Sequence, residues 1–424
     1  MAYKRRTSFQ AEAWDVLQYL FELKKLNDHT VHFVAAFSGK INVEQLKKAV
    51  ALSADVFPLI VSRFAITKSR PLWMAGGYTA DEIVTCFDTE DAAKGIDDFI
   101  CTPIDTFAGP QLKIKVIRSG EKDALVVVMN HMLCDGAGFK DYLYLLSDLY
   151  SSLQENPDYH PAALGSRRIG QLFKAFSGWE KLKILLSKNY TYNHDSAAFE
   201  FAGDLQNPFI ERREIPRELF YKLKAYGKER NATVNDLFLS AYIRSLYTMF
   251  GRAVSIPCTV DLRKYVPGNK AESICNLCTN LFCDIGPEIG PTFDQTLCKV
   301  KQAMDREKAS VSCLKSITLM EKLYDILPYK TAKMIVDYFS NAPISFTNVG
   351  ALDQSRLAIG NAHVAEEFMT GSIKFAHYFL VAVSTFDDLP TLSVNLYGTQ
   401  SDRKKISLFL ENIAQELESA VYSR

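Results

Sequence analysis

The sequence predicts a mixed α/β (α+β) fold divided into two similar-sized halves. Three observations point to it. Strand-like runs alternate with runs of helical period from end to end. A loop-like stretch, ENPDYHPAALGSRRIG, interrupts that alternation before the middle. The second half then resumes the alternation without repeating the sequence of the first. At 424 residues the chain exceeds one typical domain, and its 48% hydrophobic and 23% charged residues suit a large core. The boundary between the halves falls near residues 190–205, giving an N-terminal half over residues 1–190 and a C-terminal half over residues 191–424.

Along the first half, AEAWDVLQYLFELKKL has helical spacing and TVHFVAAFSG reads as a strand closed by Gly39. NVEQLKKAVALSADVF is a second helix, with Asn42 as its N-cap. PLWMAGGY, LKIKVIRSG and ALVVVMNH read as strands, and FKDYLYLLSDLYSSL as an amphipathic helix. QLFKAFSGWEKLKILLSK places Leu172, Phe173, Phe176, Trp179, Leu182 and Leu185 on one face of a basic helix. Such stripes usually pack on the protein itself, so a crossover helix is expected there rather than a membrane-surface one.

In the second half, PRELFYKLKAYGKE and VNDLFLSAYIRSLYTMF read as helices. VSIPCTVDLRKYVP reads as a strand with a polar exit, and residues 291–340 as largely helical. PISFTNVG, FAHYFLVAVSTF and TLSVNLYG are strands, the last two joined by a turn at DDLP. KKISLFLENIAQELESAV closes the chain as a helix.

Composition excludes several classes of function. Lys+Arg and Asp+Glu are 49 each, which speaks against nucleic acid or an anionic membrane as the main partner. There is no run of signal-peptide or membrane-spanning character. Nine scattered cysteines, an odd number, fit reduced thiols in the cytoplasm. CNLCTNLFC holds Cys275, Cys278 and Cys283 in an apolar stretch. A structural zinc site wants four ligands, so these read as small buried residues on a strand.

The chemistry concentrates in NHMLCDGAG, residues 130–138, at the exit of the apolar run ALVVVM. A run that apolar is buried on both faces, and polar groups at its end need partners. Three readings compete. One is a turn satisfying itself. The second is a metal site, since His131 and Asp135 are four apart, although Gly136 and Gly138 weaken a helix there. The third is a catalytic histidine on a loop stiffened by an ion-paired Asp135, with Gly136 allowing a tight turn beside it.

His131-Met132-Leu133-Cys134-Asp135-Gly136 fits the HxxxDG motif and resembles the chloramphenicol acetyltransferase-like acyltransferases. That superfamily includes peptide-synthetase condensation domains, the BAHD enzymes and alcohol acetyltransferases. In it the motif Asp pairs with a distant Arg at a strand end, and Asp261-Leu262-Arg263 after SIPCTV offers one. The resemblance spans nearly the whole chain. It departs at Asn130, where many members carry a second His, and in lacking a DFGWG motif in 380–400. The closest match is therefore to bacterial alcohol acetyltransferase-like, stand-alone members.

The resemblance implies two chloramphenicol acetyltransferase-like lobes, each a mixed β-sheet flanked by helices, with a tunnel between them. It implies acyl transfer from a thioester to an alcohol or amine, His131 serving as general base. Asp135, Gly136 and Arg263 would support the site, and Ser345, Thr347 and Asn348 would bind substrate or its oxyanion. Acyl-CoA or an acyl-carrier thioester would be co-substrate, with no permanently bound cofactor and no metal. The partners would be a small-molecule acceptor and an acyl-carrier protein. Lys264 and Lys270 are the candidates by position for CoA phosphates. Among the other histidines, His32 and His377 read as core residues on strands, with His377 also a candidate for the tunnel wall. His29, His160, His194 and His363 read as surface residues. The competing functions are a catalytically silent binding module using the same cleft and a metal-dependent hydrolase built on His131 and Asp135.

Overall fold

The computed structural model describes residues 7–187, 197–338, 342–357, 359 and 364–422. Strand β1 (Ser8–Gln10) leads into helix α1 (Ala13–Leu23), then strand β2 (Thr30–Phe37) and helix α2 (Val43–Val56). Asn42 caps α2 by accepting the Gln45 N–H at 3.1 Å. Strands β3 (Ser62–Ala65) and β4 (Leu72–Ala75) follow, with helix α3 (Ala80–Ile83), strand β5 (Val84–Asp88) and helix α4 (Ala92–Ile100). The hairpin of β6 (Leu112–Ser119) and β7 (Lys122–Asn130) then delivers the chain to helix α5 (Gly136–Glu155) and, later, α6 (Gly178–Leu186).

The second half opens with β8 (Pro208–Glu214), α7 (Arg217–Glu229), α8 (Val234–Phe250), β9 (Ile256–Asp261) and β10 (Cys278–Cys283). Three helices follow: α9 (Phe293–Ala309), α10 (Ser312–Ile326) and α11 (Tyr329–Tyr338). Strands β11 (Ile344–Ala351), β12 (Val364–Thr370), β13 (Phe379–Phe386) and β14 (Leu389–Tyr397) precede helix α12 (Gln400–Tyr422). Asp387 and Asp388, between β13 and β14, both take positive φ (44° and 56°), the pairing a two-residue I′ hairpin demands.

The architecture is mixed α/β. A five-stranded sheet runs β12-β2-β7-β6-β5, a six-stranded sheet runs β10-β9-β11-β13-β14-β8, and β1-β4-β3 form a small third sheet. Strand alternation explains why β7 is so apolar. Leu125, Val127 and Met129 face the main core, while Ala124, Val126 and Val128 face a second cluster with Phe99 and Ile100 of α4. The main core runs continuously through residues of both halves. β12, from late in the chain, is the edge strand beside β2, antiparallel to it, so the five-stranded sheet contains a strand from the second half. No helix among the described residues is long and apolar enough to cross a membrane.

The expected single helix over 171–188 is broken. Ile169–Phe173 forms a short 3-10 turn, and α6 begins afresh at Gly178. Ser177 starts it by a capping box: its hydroxyl accepts the Glu180 N–H at 3.3 Å, and Glu180 accepts the Ser177 N–H at 2.7 Å. The apolar residues therefore do not share one face. Leu172 is buried, whereas Trp179 is 66% exposed.

Candidate active site between the two sheets

The motif loop is built on Asn130, the last residue of β7. Asn130 is fully buried. Its amide donates to Gln111 Oε1 (2.6 Å) and Thr106 Oγ1 (3.2 Å), and its Oδ1 accepts the Met132 N–H (2.8 Å). Where a second histidine stands in many proteins with this motif, this chain places a residue that pins the turn. The His131 N–H donates to the His29 carbonyl at 2.6 Å. Asn276 donates to the Met132 carbonyl at 3.1 Å, and Arg167 to the Leu133 carbonyl at 2.9 Å. Arg167 is itself held by Asp15 of α1, buried to 0% exposure, through Nη2–Oδ1 at 2.9 Å and Nη1–Oδ2 at 3.2 Å.

Asp135 ends the loop as the N-cap of α5, accepting the Gly138 N–H at 2.8 Å. Arg263 approaches from the exit of β9. Its Nη2 lies 3.0 Å from Asp135 Oδ1 and its Nη1 3.1 Å from Oδ2, a two-pronged contact across 128 residues of sequence. The Leu277 N–H adds a bond of 2.7 Å to Oδ2. Burial pushes the Asp135 carboxyl up, but the Arg263 charge and the two N–H donors outweigh it and hold it below the usual carboxylate value. Asp135 is thus an ionised brace. Both its oxygens are occupied, which leaves none to ligate a metal.

His131 lines a cavity of about 180 Å³ walled by both halves of the chain. Gln18, Asn27 and His131 come from the first half, and Thr259, Ser345 and Thr347 from the second. His131 Nδ1 is buried against the loop backbone, and the residue itself lines the cavity. Burial holds the imidazole below its ordinary value. The loop backbone and Asp135 pull upward, and the nearby Lys374 charge adds to the lowering. A neutral imidazole at neutral pH is in the form that can accept a proton.

Only some of the candidate residues line the cavity. Ser345 and Thr347, alternate residues of β11, both line the cavity. Asn348, next to Thr347 in sequence, does not; its Oδ1 accepts the Gly350 N–H at 2.9 Å at a bulge in β11. Strand alternation sends it to the other face. Gly136 lines the cavity but does not form a loop turn: it is the first residue of α5. Gly138 carries the tighter constraint, since a Cβ there would lie 2.6 Å from the Cys275 carbonyl oxygen and 2.8 Å from Cys134 Cβ. Lys264 and Lys270 are exposed and lie outside the cavity wall, Lys264 stacking over the Tyr265 ring instead.

Among the other histidines, His32 is a fully buried strand residue, bonded through Nδ1 to the Gly371 carbonyl at 3.0 Å. His377 is neither core nor cavity wall. It is exposed in a turn before β13, at φ 81°. His29 is buried, not superficial, between Glu22 and Thr106. His160 is exposed, and His194 and His363 lie outside the described residues. Cys278 and Cys283 sit buried on β10, with Cys275 buried just before it.

No protein-family model matches the sequence. No curated protein matches it. Solved structures do. The first condensation domain of the calcium-dependent antibiotic synthetase superposes at TM-score 0.69 and 14% identity, covering 99% of this chain and 98% of that one. Polyketide synthase associated protein 5 from Mycobacterium tuberculosis gives 0.67 at 14% identity, covering 98% and 99%. Trichothecene 15-O-acetyltransferase from Fusarium sporotrichioides gives 0.66 at 11% identity, covering 98% and 95%. The chain therefore has, over its whole length, the two-lobed fold of condensation domains and chloramphenicol acetyltransferase-like acyltransferases.

Proposed function

We propose that the chain transfers an acyl group from a thioester to a small alcohol or amine, with His131 as general base. The observation that carries this reading is the placement of His131. His131 lines a cavity walled by both halves, on a loop clamped by the buried Asp135–Arg263 pair. Nε2 takes the acceptor's proton as its oxygen or nitrogen attacks the thioester carbonyl. The tetrahedral intermediate collapses, the C–S bond breaks, and the imidazolium returns its proton to the departing thiolate. The Thr347 hydroxyl is the donor suited to the oxyanion, because β11 turns it toward the cavity, whereas the Ser345 hydroxyl donates to the Phe379 carbonyl at 3.4 Å. Asp135 carries no proton; it fixes the loop.

The donor is acyl-CoA or an acyl-carrier thioester, and no permanently bound cofactor takes part. The likeness to a synthetase condensation domain supports the carrier-bound form, and the likeness to an acetyltransferase supports a free one. Nine cysteines without a disulfide support a cytoplasmic setting. The test is to incubate the protein with acyl-CoA and phosphopantetheine-linked thioesters and a panel of alcohols and amines. Acceptor-dependent release of free thiol, with the matching ester or amide seen by mass spectrometry, is expected. Release no faster with acceptor than without it, for every donor, contradicts the proposal.

A further inference from the structure

One cation of the cavity wall makes no ion pair within 4 Å among the described residues. Lys374 lines the cavity from an irregular stretch between β12 and β13, bridged on one side to Asn27 and on the other to Leu396. Its ammonium has one hydrogen-bond partner among the described residues, Asn27 Oδ1 at 3.0 Å. An ammonium has three N–H donors, so two directions remain. The neighbouring carboxylate does not fill them. Asp28 is committed to the Thr30 N–H (3.1 Å), the Thr30 hydroxyl (2.9 Å) and the Ile373 N–H (2.9 Å). Two residues before Lys374 on the same wall, Ser372 is 5% exposed, and its hydroxyl is buried without any partner among the described residues. Unused donors buried in this way are costly unless something accepts from them.

We propose that Lys374 and Ser372 form a carboxylate subsite, so that one of the two substrates carries a carboxylate close to the reacting centre. This rests on the acyl-transfer reading and specifies its substrate class. A monoanion suits the corner better than a phosphate, because a single ammonium faces it and Asp28 lies behind. Burial brings the Lys374 amine down to about 8, against the pull of Asp28, so it is largely charged at neutral pH and ready for an anion. The same charge helps hold the His131 imidazole down. A bound carboxylate cancels it, and His131 becomes a stronger base once substrate is seated.

The carboxylate sits on the acceptor or on the acyl chain, and three matched product mimics separate the two. N-butyryl-leucinamide has no carboxylate, N-butyryl-leucine has it on the acceptor side, and N-succinyl-leucinamide has it on the acyl side. Their affinities are measured by calorimetry, so no turnover is needed. One carboxylate mimic is expected to bind roughly tenfold or more tighter than the amide, as one hydrogen-bonded charge contact allows. Lys374→Met should erase that preference and Lys374→Arg should retain much of it. The preference in the unmodified protein should also fade as pH rises through about 8. His131, held low, and Asp28, pushed up to about 6, titrate below that window. No preference for either carboxylate, including no binding by any mimic, overturns the subsite, as does a preference that survives Lys374→Met. Thiol release without a carboxylate preference sinks the subsite alone. A Lys374-dependent preference with no thiol release from any donor sinks acyl transfer and keeps the anion site.

Discussion

His131 works, on this account, because its surroundings do three separate things. Asn130, Asn276 and Arg167 hold the loop by its backbone. Asp135 and Arg263 brace its end. Burial and Lys374 keep the ring neutral. The last point fixes a pH dependence. Protonation removes the base, so kcat/KM falls on the acid side. The folded-state value is lowered from the ordinary 6.5, so the midpoint of that limb lies below pH 6.5. A pH–rate profile with its acid limb centred above 7 would show that the ring is not held this way. At this scale the sequence was partly legible. His131, Asp135 and Arg263 could be picked out because a short motif and a strand exit mark them. Lys374, Ser372 and Arg167 could not. Each matters through a partner or a wall supplied by distant chain, as Lys374 does through Asn27, and no local pattern records that. Asn348 failed for a local reason: a bulge and strand alternation decide which side chains of β11 face the cavity.

Among the elements, the strand-to-helix junction of β7 and α5 is the one that positions the chemistry. The apolar run and the helix after it were both readable, because each keeps its own period. The helix start was not. Glycines at its first and third positions argue against a helix on propensity. Packing overrides that, because Gly138 lets α5 approach the Cys275 carbonyl and the Arg263 guanidinium closely. Gly138→Ala should therefore lower the melting temperature clearly, with a Cβ forced to 2.6 Å from a backbone oxygen. Gly136→Ala meets only the Val349 and Met369 side chains, the nearest atom at 3.3 Å, and should be the milder of the pair. Equal melting temperatures for the two variants would count against this account of the junction. The broken helix at 169–186 shows the reverse error. A continuous hydrophobic stripe was visible, but Ser177 and Glu180 supply a new cap that outweighs it.

At the scale of the whole molecule, two lobes were legible from the repeated alternation and the motif spacing. The strand that crosses between them was not. VAEEFMT lacks clean alternation, since β12 carries an irregularity between Val364 and Glu366. Joining the lobes near the cavity, the Asp135–Arg263 contact is both a brace and a stabiliser. Removing one partner of such a buried pair costs ~3–5 kcal/mol. Asp261 (3.0 Å) and Asp141 (3.6 Å) also lie beside Arg263 and soften the loss. Asp135→Ala should therefore fall at about the lower end of that range in chemical denaturation, and an unchanged unfolding midpoint would deny it a structural role. The most direct test of the central claim is the turnover of His131→Ala with a thioester and acceptor that the unmodified protein uses. The ring lines the cavity and takes no part in the Asp135–Arg263 brace, so the variant should melt close to the parent. Its kcat/KM should fall ~10²–10⁴-fold. A correctly folded variant that turns over like the parent would contradict His131 as the base.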